Sequence, residues 1–539
     1  MNANRLIAQC ALSGVVIALA GCASVSSTDN AQSTAMWQAG KEYQLTILHT
    51  NDHHGRFWQN RHGEYGMAAR KTLIDNIREQ VLLEEGHTLL LSGGDINTGV
   101  PESDLQDAEP DFKGMKLLQY DAMALGNHEF DNPIEVLRQQ HEWAGFPFLS
   151  ANIIDNNTGQ PLFEAYKIFT VDDLRIAVVG LTTDDTAKIG NPEFLGGLTI
   201  QSPIEVAQDL IPVLKQKADL IVALTHMGHY DDANHGGNAP GDVTLARTVP
   251  GIDVIVGGHS QDPLFEPDVQ SGTLILQADE WGKYVGRLDM TIKDGQIVAS
   301  DYALIPVNLK KKVTQADGSS TRVFIDQEIA QDPSMLAMLQ PYQNIGQDKL
   351  NVEIGFSDGP FIGDRNTVRA QETNLGNLIT SAMMKKVHAD VAVMNSGGIR
   401  DGISAGQITY KSVLLVQPFA NALSYVDLTG AELAEYLSAV VGKEAGTGAF
   451  AQTRGVSLVM QDGKATHIKV GGKALAADKT YRIAMNSYTA SGGDGYPKVS
   501  GHKNYVNTGY VDADVLVEYI KDYSPILISN FKPTGAVIR

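Results

Sequence analysis

The stretch Ala122-Met-Ala-Leu-Gly-Asn-His-Glu-Phe-Asp131 (AMALGNHEFD) decides how this chain is read. A short apolar run, Ala122–Leu125, stops at Gly126, and an amide, an imidazole and two carboxylates follow at once. An apolar run this short, bounded by glycine and polar residues, reads as a buried strand. Its polar groups then lie just past the strand end, where α/β folds gather their sites.

Working outward, the same arrangement recurs four times. Tyr43–Thr50 (YQLTILHT) runs into Asp52 and His54, and Thr88–Leu91 (TLLL) runs into Gly93, Gly94 and Asp95. Leu220–Leu224 (LIVAL) precedes Thr225 and His226, and Ile252–Val256 (IDVIV) precedes Gly257, Gly258, His259, Ser260 and Gln261. A lone Asp-x-His is usually a surface pair, but five such sites on successive strand ends would converge on one edge of a sheet. The donors are oxygen and imidazole nitrogen without thiolate, a set that suits Zn, Mn, Co, Fe or Mg and disfavours Cu(I) and iron–sulfur. Two such cations ~3.5–4 Å apart activate water and clamp an in-line displacement. Asp95 is the natural bridge, because Gly93 and Gly94 let the backbone come close.

In this order, NDHHG (Asn51–Gly55), GGD (Gly93–Asp95), GNHEFD (Gly126–Asp131), THMG (Thr225–Gly228) and GGHSQ (Gly257–Gln261) resemble the calcineurin-like metallophosphoesterases. The resemblance is strongest to their bacterial periplasmic 5′-nucleotidase and UDP-sugar hydrolase branch. It implies an α/β (α+β) chain: a four-layer sandwich catalytic domain, then a separate C-terminal α/β substrate-binding domain joined by a helical linker. By position, one metal would take Asp52, His54, Asp95 and Gln261, and the second Asp95, Asn127, His226 and His259. His128 would face the phosphate as transition-state stabiliser or acid, with Asp131 orienting its ring.

The second half carries no metal set. It offers Arg365 and Arg369, the strand-and-turn Val391–Met394 with Asn395-Ser396-Gly397-Gly398-Ile399-Arg400, then Phe419, Asn421, Tyr488 and Asp494. Arginines suit phosphate or carboxylate by their fork geometry, and aromatics on separate loops can sandwich a planar base. This half resembles the family's substrate domain. The resemblance assigns Arg365, Arg369 and Arg400 to phosphate or the nucleoside edge, Phe419 and Tyr488 to a base clamp, Asn421 and Gly448 to the base edge, and Asp494 to the ribose. The family commonly has Phe where Tyr488 stands, so the hydroxyl needs a partner.

The chain has 539 residues, 43% of them hydrophobic, which is ordinary for a globular protein. Its formal net charge of −21 disfavours nucleic acid as a partner. Both cysteines, Cys10 and Cys22, fall near the N-terminus. Arg5, the apolar Leu6–Ala20 and the closing Leu19-Ala20-Gly21-Cys22 read as a secretory signal. That closing box resembles the bacterial lipobox, implying a lipid (palmitate-type) anchor on Cys22, and the absence of Asp at position 23 favours the outer membrane. The expected division is a signal to residue 22, a flexible tether 23–41, a catalytic domain 42–326, a helical linker 327–353 broken at Pro341, and a nucleotide-binding domain 354–539.

The expected activity is hydrolysis of extracellular nucleotides, AMP first and ADP, ATP and UDP-sugars by extension, by a monomer holding two divalent metal ions. Two rivals remain open: a sibling of the same fold acting on 2′,3′-cyclic nucleotides or as a 3′-nucleotidase, and a non-catalytic nucleotide-binding lipoprotein.

Overall fold

The computed structural model describes residues 37–230, 234–235, 239–314, 320–345 and 350–539. Cys10, Cys22, the signal and most of the expected tether lie outside them. So do residues 346–349 of the linker.

The first domain is built on two six-stranded sheets. One runs in the order Gln296–Pro306, Tyr284–Lys293, Glu42–Thr50, His87–Ser92, Ala122–Ala124, Phe148–Leu149. The other runs Asp268–Gln270, Thr273–Leu276, Val254–Val256, Leu220–His226, Leu174–Thr182, Tyr166–Val171. Four strands of the first sheet, from Glu42–Thr50 to Phe148–Leu149, pair in parallel, as do four of the second, from Leu174–Thr182 to Thr273–Leu276. Parallel strands are buried on both faces, which is why they read as continuous apolar runs: every residue of Leu220–His226 is buried, whereas the edge strand Gln296–Pro306 is mostly not.

Between the sheets, Leu45, Ile47, Leu89 and Leu91 meet Ile176, Val178, Val222 and Leu224 in one core. Outside the first sheet, Leu48, Leu90 and Met123 pack against helices Met67–Leu83, Glu109–Leu117 and Ile134–Ala144. Outside the second, Val179, Ile221 and Ile255 pack against Pro203–Leu214 and Asp242–Thr248. The result is helix, sheet, sheet, helix: the expected four layers. Burial of each large aliphatic side chain contributes roughly 1.5–3 kcal/mol.

Two boundary expectations change. Trp37 packs on the inter-sheet core, and Gln38 and Gly40 hydrogen-bond to Asp173 and Asp294, so the chain is seated from Trp37 onward instead of free to residue 41. The linker helix Pro333–Asn344 runs through Pro341 without a break. Met335 and Leu339 are fully buried in the first domain's core, and that packing offsets the backbone hydrogen bond that Pro341 cannot donate.

The second domain centres on a five-stranded sheet in the order Ala451–Arg454, Val391–Asn395, Thr480–Asn486, Ala422–Thr429, Tyr505–Val511. Helix Asn374–Val387 covers one face with Leu375, Leu378, Ile379, Ala382 and Met383, the spacing of one helical stripe. The Thr373 side chain accepts the Gly376 backbone N–H, a cap that stabilises the helix by about 1 kcal/mol. Helix Gly430–Val441, opened by the Thr429–Glu432 capping box, covers the other face.

Candidate active site

The expected ligands gather where the two sheets present their strand ends. Asp52, Asp95 and Asn127 follow three adjacent parallel strands of the first sheet, while His226 ends one strand of the second and His259 follows the strand beside it. Asp52, His54, Asp95, His259 and Gln261 all adopt positive φ, between 50° and 77°. Non-glycine residues enter that region at a cost, and such strain clusters at functional sites. Close approach also requires glycine: a Cβ on Gly126 would lie 2.1 Å from Asp95 Oδ1.

Asp95 belongs to both groups whose donor atoms converge, one with His54 and His128, the other with His226 and His259. Its Oδ2 lies 3.0 Å from His226 Nε2 and 4.0 Å from His54 Nε2. The imidazoles are held from behind. His226 Nδ1 meets the Gly93 carbonyl at 2.7 Å, and His54 Nδ1 meets the Thr98 carbonyl at 3.0 Å. A ring that donates from Nδ1 presents the lone pair of Nε2 to the site, the arrangement that orients metal-binding histidines. Gln261 Nε2 lies 3.0 Å from His54 Nε2.

The residues fit divalent cations. Asp52 Oδ1 and Asn127 Oδ1 are buried without a hydrogen-bond partner among the described residues, a costly state that a cation relieves. Burial opposes a charge on His226, yet Asp95 and Asp52 outweigh it and push its pKa up to about 10. The same two carboxylates would attract a divalent cation.

His128, expected to face the phosphate, belongs to the donor group with His54 and Asp95. Its Nδ1 lies 2.6 Å from Asp131 Oδ2, which also accepts the Thr98 hydroxyl at 2.6 Å. Its backbone N–H donates to Asp95 Oδ1 at 2.9 Å. Burial works against the imidazolium, but the Asp131 and Asp95 carboxylates prevail and raise its pKa.

One cavity of about 390 Å³ joins the domains. His54, Asp95, Asn127, His128, Asp131, His259 and Gln261 form one wall. Facing them from the second domain are Arg365, Arg369, Arg400, Phe419, Asn421, Gly448, Tyr488 and Asp494, so all eight expected substrate contacts line it. Asp52 and His226 are fully buried behind the wall. Phe419 stacks on the His128 ring with centroids 5.9 Å apart and planes 9° apart, and the Arg400 guanidinium lies 5.6 Å from the Phe419 centroid. Arg365 donates to Gln261 Oε1 at 2.6 Å, and away from the cavity lining Lys411 of the second domain pairs with the buried Glu102 of the first. Arg369 is pushed down to about 9 by burial and by Arg365 and Arg400. Arginine keeps its proton in practice, so three guanidinium groups face one cavity.

Sequence reasoning missed Glu129, which stood in GNHEFD without a role. Its carboxylate accepts the backbone N–H groups of Asp95, Ile96, Asn97 and Gly126. An acidic residue inside a buried motif was the available signal. It also missed Asn395, Asp185, Asn191 and Lys443, which line the cavity; only Asn395, after a strand, carried a hint.

A calcineurin-like phosphoesterase family model matches residues 45–263, and a 5′-nucleotidase C-terminal domain model matches 353–501. The chain is 56% identical to a 5′-nucleotidase of Vibrio vulnificus and 55% identical to one of Vibrio cholerae, with 99% of each chain covered in both comparisons. It is 51% identical to Protein UshA of Escherichia coli, over 97% of this chain and 98% of that one. Among solved structures, a 5′-nucleotidase precursor of Thermus thermophilus superposes with a TM-score of 0.73 at 28% identity, covering 92% of this chain and 99% of that chain. A sulfate thiohydrolase, SoxB, of the same organism shares the fold at 20% identity and a TM-score of 0.69, over 93% and 98% of the chains. Fold therefore leaves the substrate open, but more than half the residues are shared from end to end with the Vibrio enzymes, and the chain belongs to the 5′-nucleotidase family.

Proposed function

We infer that this chain is a 5′-nucleotidase that hydrolyses nucleoside 5′-phosphates, AMP foremost and ADP, ATP and UDP-sugars by extension, to nucleoside and phosphate. The observation that carries the reading is the Phe419 ring laid on His128. A planar ring from the substrate domain stands directly over the group expected to meet the phosphoryl oxygens, so one small molecule with a base at one end and a phosphate at the other would touch both.

Asp52, His54, Asp95 and Gln261 would hold one divalent cation, and Asp95, Asn127, His226 and His259 a second. When bound, the pair supplies Lewis-acid polarisation of the phosphoryl group and an activated water. The chain's own residues do the rest. Arg365, Arg369 and Arg400 attract and orient the anion. Asp131 holds the His128 imidazole by Nδ1, leaving Nε2 to donate to a phosphoryl oxygen or protonate the departing ribose oxygen. Phe419 and Tyr488 flank the base, with Asn421 and Gly448 at its edge. Closure of the second domain over the first excludes water from the reacting groups.

The mature chain is proposed to sit in the outer membrane by an acyl group on Cys22. The support is the Leu19-Ala20-Gly21-Cys22 box. Phosphate release from AMP and ring opening of 2′,3′-cyclic AMP to the monophosphate, each with and without a chelator, test the activity. Release from AMP that stops with chelator supports it; faster ring opening of the cyclic ester would favour the sibling activity, and turnover of neither would leave a binding protein.

A further inference from the structure

The Tyr488 hydroxyl is engaged twice by a single residue. It donates to Asp494 Oδ1 at 3.0 Å and accepts the Asp494 backbone N–H at 3.1 Å. The other carboxylate oxygen, Oδ2, accepts the Asn395 side-chain amide at 2.8 Å. Asp494 has a φ of 56°, in the left-handed region that a residue with a Cβ occupies at a cost. Something must hold it there, and the paired contact with Tyr488 does. The fit depends on Gly493, where a Cβ would come within 2.5 Å of the Tyr488 ring.

An ionised carboxylate offers about four lone-pair positions. Tyr488 takes one on Oδ1 and Asn395 one on Oδ2. One acceptor position remains on each oxygen, and the residue lines the cavity between the domains. Burial raises the Asp494 pKa on balance, and the Asn395 and Tyr488 donors limit that rise. Two adjacent acceptors fixed in one plane match a vicinal cis-diol, which presents two hydroxyl donors side by side.

We propose that the Tyr488 hydroxyl is a positioning group for the sugar: it fixes the Asp494 carboxylate so that each oxygen keeps one acceptor for the 2′- and 3′-hydroxyls, making the enzyme discriminate ribonucleotides from 2′-deoxyribonucleotides. The role is separate from stacking, since phenylalanine would keep the ring and lose it. The proposal rests on the nucleotidase reading above, and its test is a ratio that the reading alone does not fix.

The experiment compares kcat/KM for AMP and 2′-deoxy-AMP in the wild type and in Tyr488→Phe, with thermal melting as a check on folding. A hydrogen bond to a charged group is worth about a tenfold change in binding. Wild type is expected to prefer AMP by about tenfold or more. In Tyr488→Phe the AMP value should fall by about tenfold, mainly through KM, and the value for 2′-deoxy-AMP by much less, so that the preference shrinks towards one. Equal losses on both nucleotides, or an unchanged ratio, would overturn the proposal. A wild-type ratio near one would overturn it without any variant, so poor folding of Tyr488→Phe cannot shelter it. Absence of phosphate release from both nucleotides would instead defeat the nucleotidase reading on which it rests.

Discussion

Glu129 holds Asp95 by the backbone: its Oε2 accepts the Asp95 N–H at 2.9 Å and the Gly126 N–H at 2.7 Å, while Oε1 accepts the Ile96 N–H at 2.8 Å. A single buried carboxylate thereby ties the loop carrying Asp95 to the loop carrying Asn127 and His128. Glu129→Gln keeps the shape but turns an amide NH₂ towards backbone donors. Outer supports of this kind typically change metal affinity or activity 10–100-fold. The expected outcome is a loss in that range of both metal retention after dialysis and AMP turnover, with the fold intact by circular dichroism.

Asp95→Asn tests the shared ligand itself. Asp95 lies in both convergent donor groups, so one substitution withdraws charge from both. Phosphate release should drop below about a hundredth of wild type, since a lost bridge removes several kcal/mol of transition-state stabilisation. Retention of more than about a tenth of the rate at saturating metal would sink the two-cation assignment.

His128→Ala separates chemistry from ligation. If His128 donates a proton or a hydrogen bond to the phosphoryl group, kcat falls by ~10²–10⁴ while metal content per chain stays at the wild-type value. Metal content measured by atomic absorption decides it, because His128 also stands within one donor group with His54 and Asp95. A parallel loss of metal would make it a ligand.

Much of this site was legible because its determinants are local in sequence. Buried parallel strands read as apolar runs, and the ligands follow within three residues of their ends, so the runs before Asp52, Asp95, Asn127, His226 and His259 located one wall of the cavity. Glu129 and Tyr488 show what was not legible. Glu129 acts on backbone N–H groups some thirty residues away, and backbone donors carry no sequence signal. The partner of the Tyr488 hydroxyl depends on the left-handed turn at Asp494, a conformation that aspartate tolerates but that its sequence neighbours do not single out. The continuous helix through Pro341 failed as an expectation for a related reason: tertiary burial of Met335 and Leu339 overrode a local breaker.

Cys22→Ser tests the anchor. The acyl chain, and not the fold, is proposed to hold the protein to the membrane, so the variant should appear in the soluble fraction with unchanged AMP turnover per chain. Persistence in washed membranes at high salt would mean that another element anchors it.

Phe419→Ala joins the two halves of the cavity. The ring lies over His128, with Arg400 5.6 Å from its centroid, and Arg365 bonds to Gln261 across the same cavity. If Phe419 stacks on the base, its loss removes ~1–3 kcal/mol of binding from a nucleotide and nothing comparable from a small ester without a base. KM for AMP should therefore rise by roughly ten- to a hundredfold, because each 1.4 kcal/mol is a factor of ten, while KM for p-nitrophenyl phosphate moves by less than about threefold. The comparison also separates stacking from closure. A ring that served only to seat the second domain on His128 would leave the catalytic groups exposed to water when removed, and both substrates would lose kcat to the same degree.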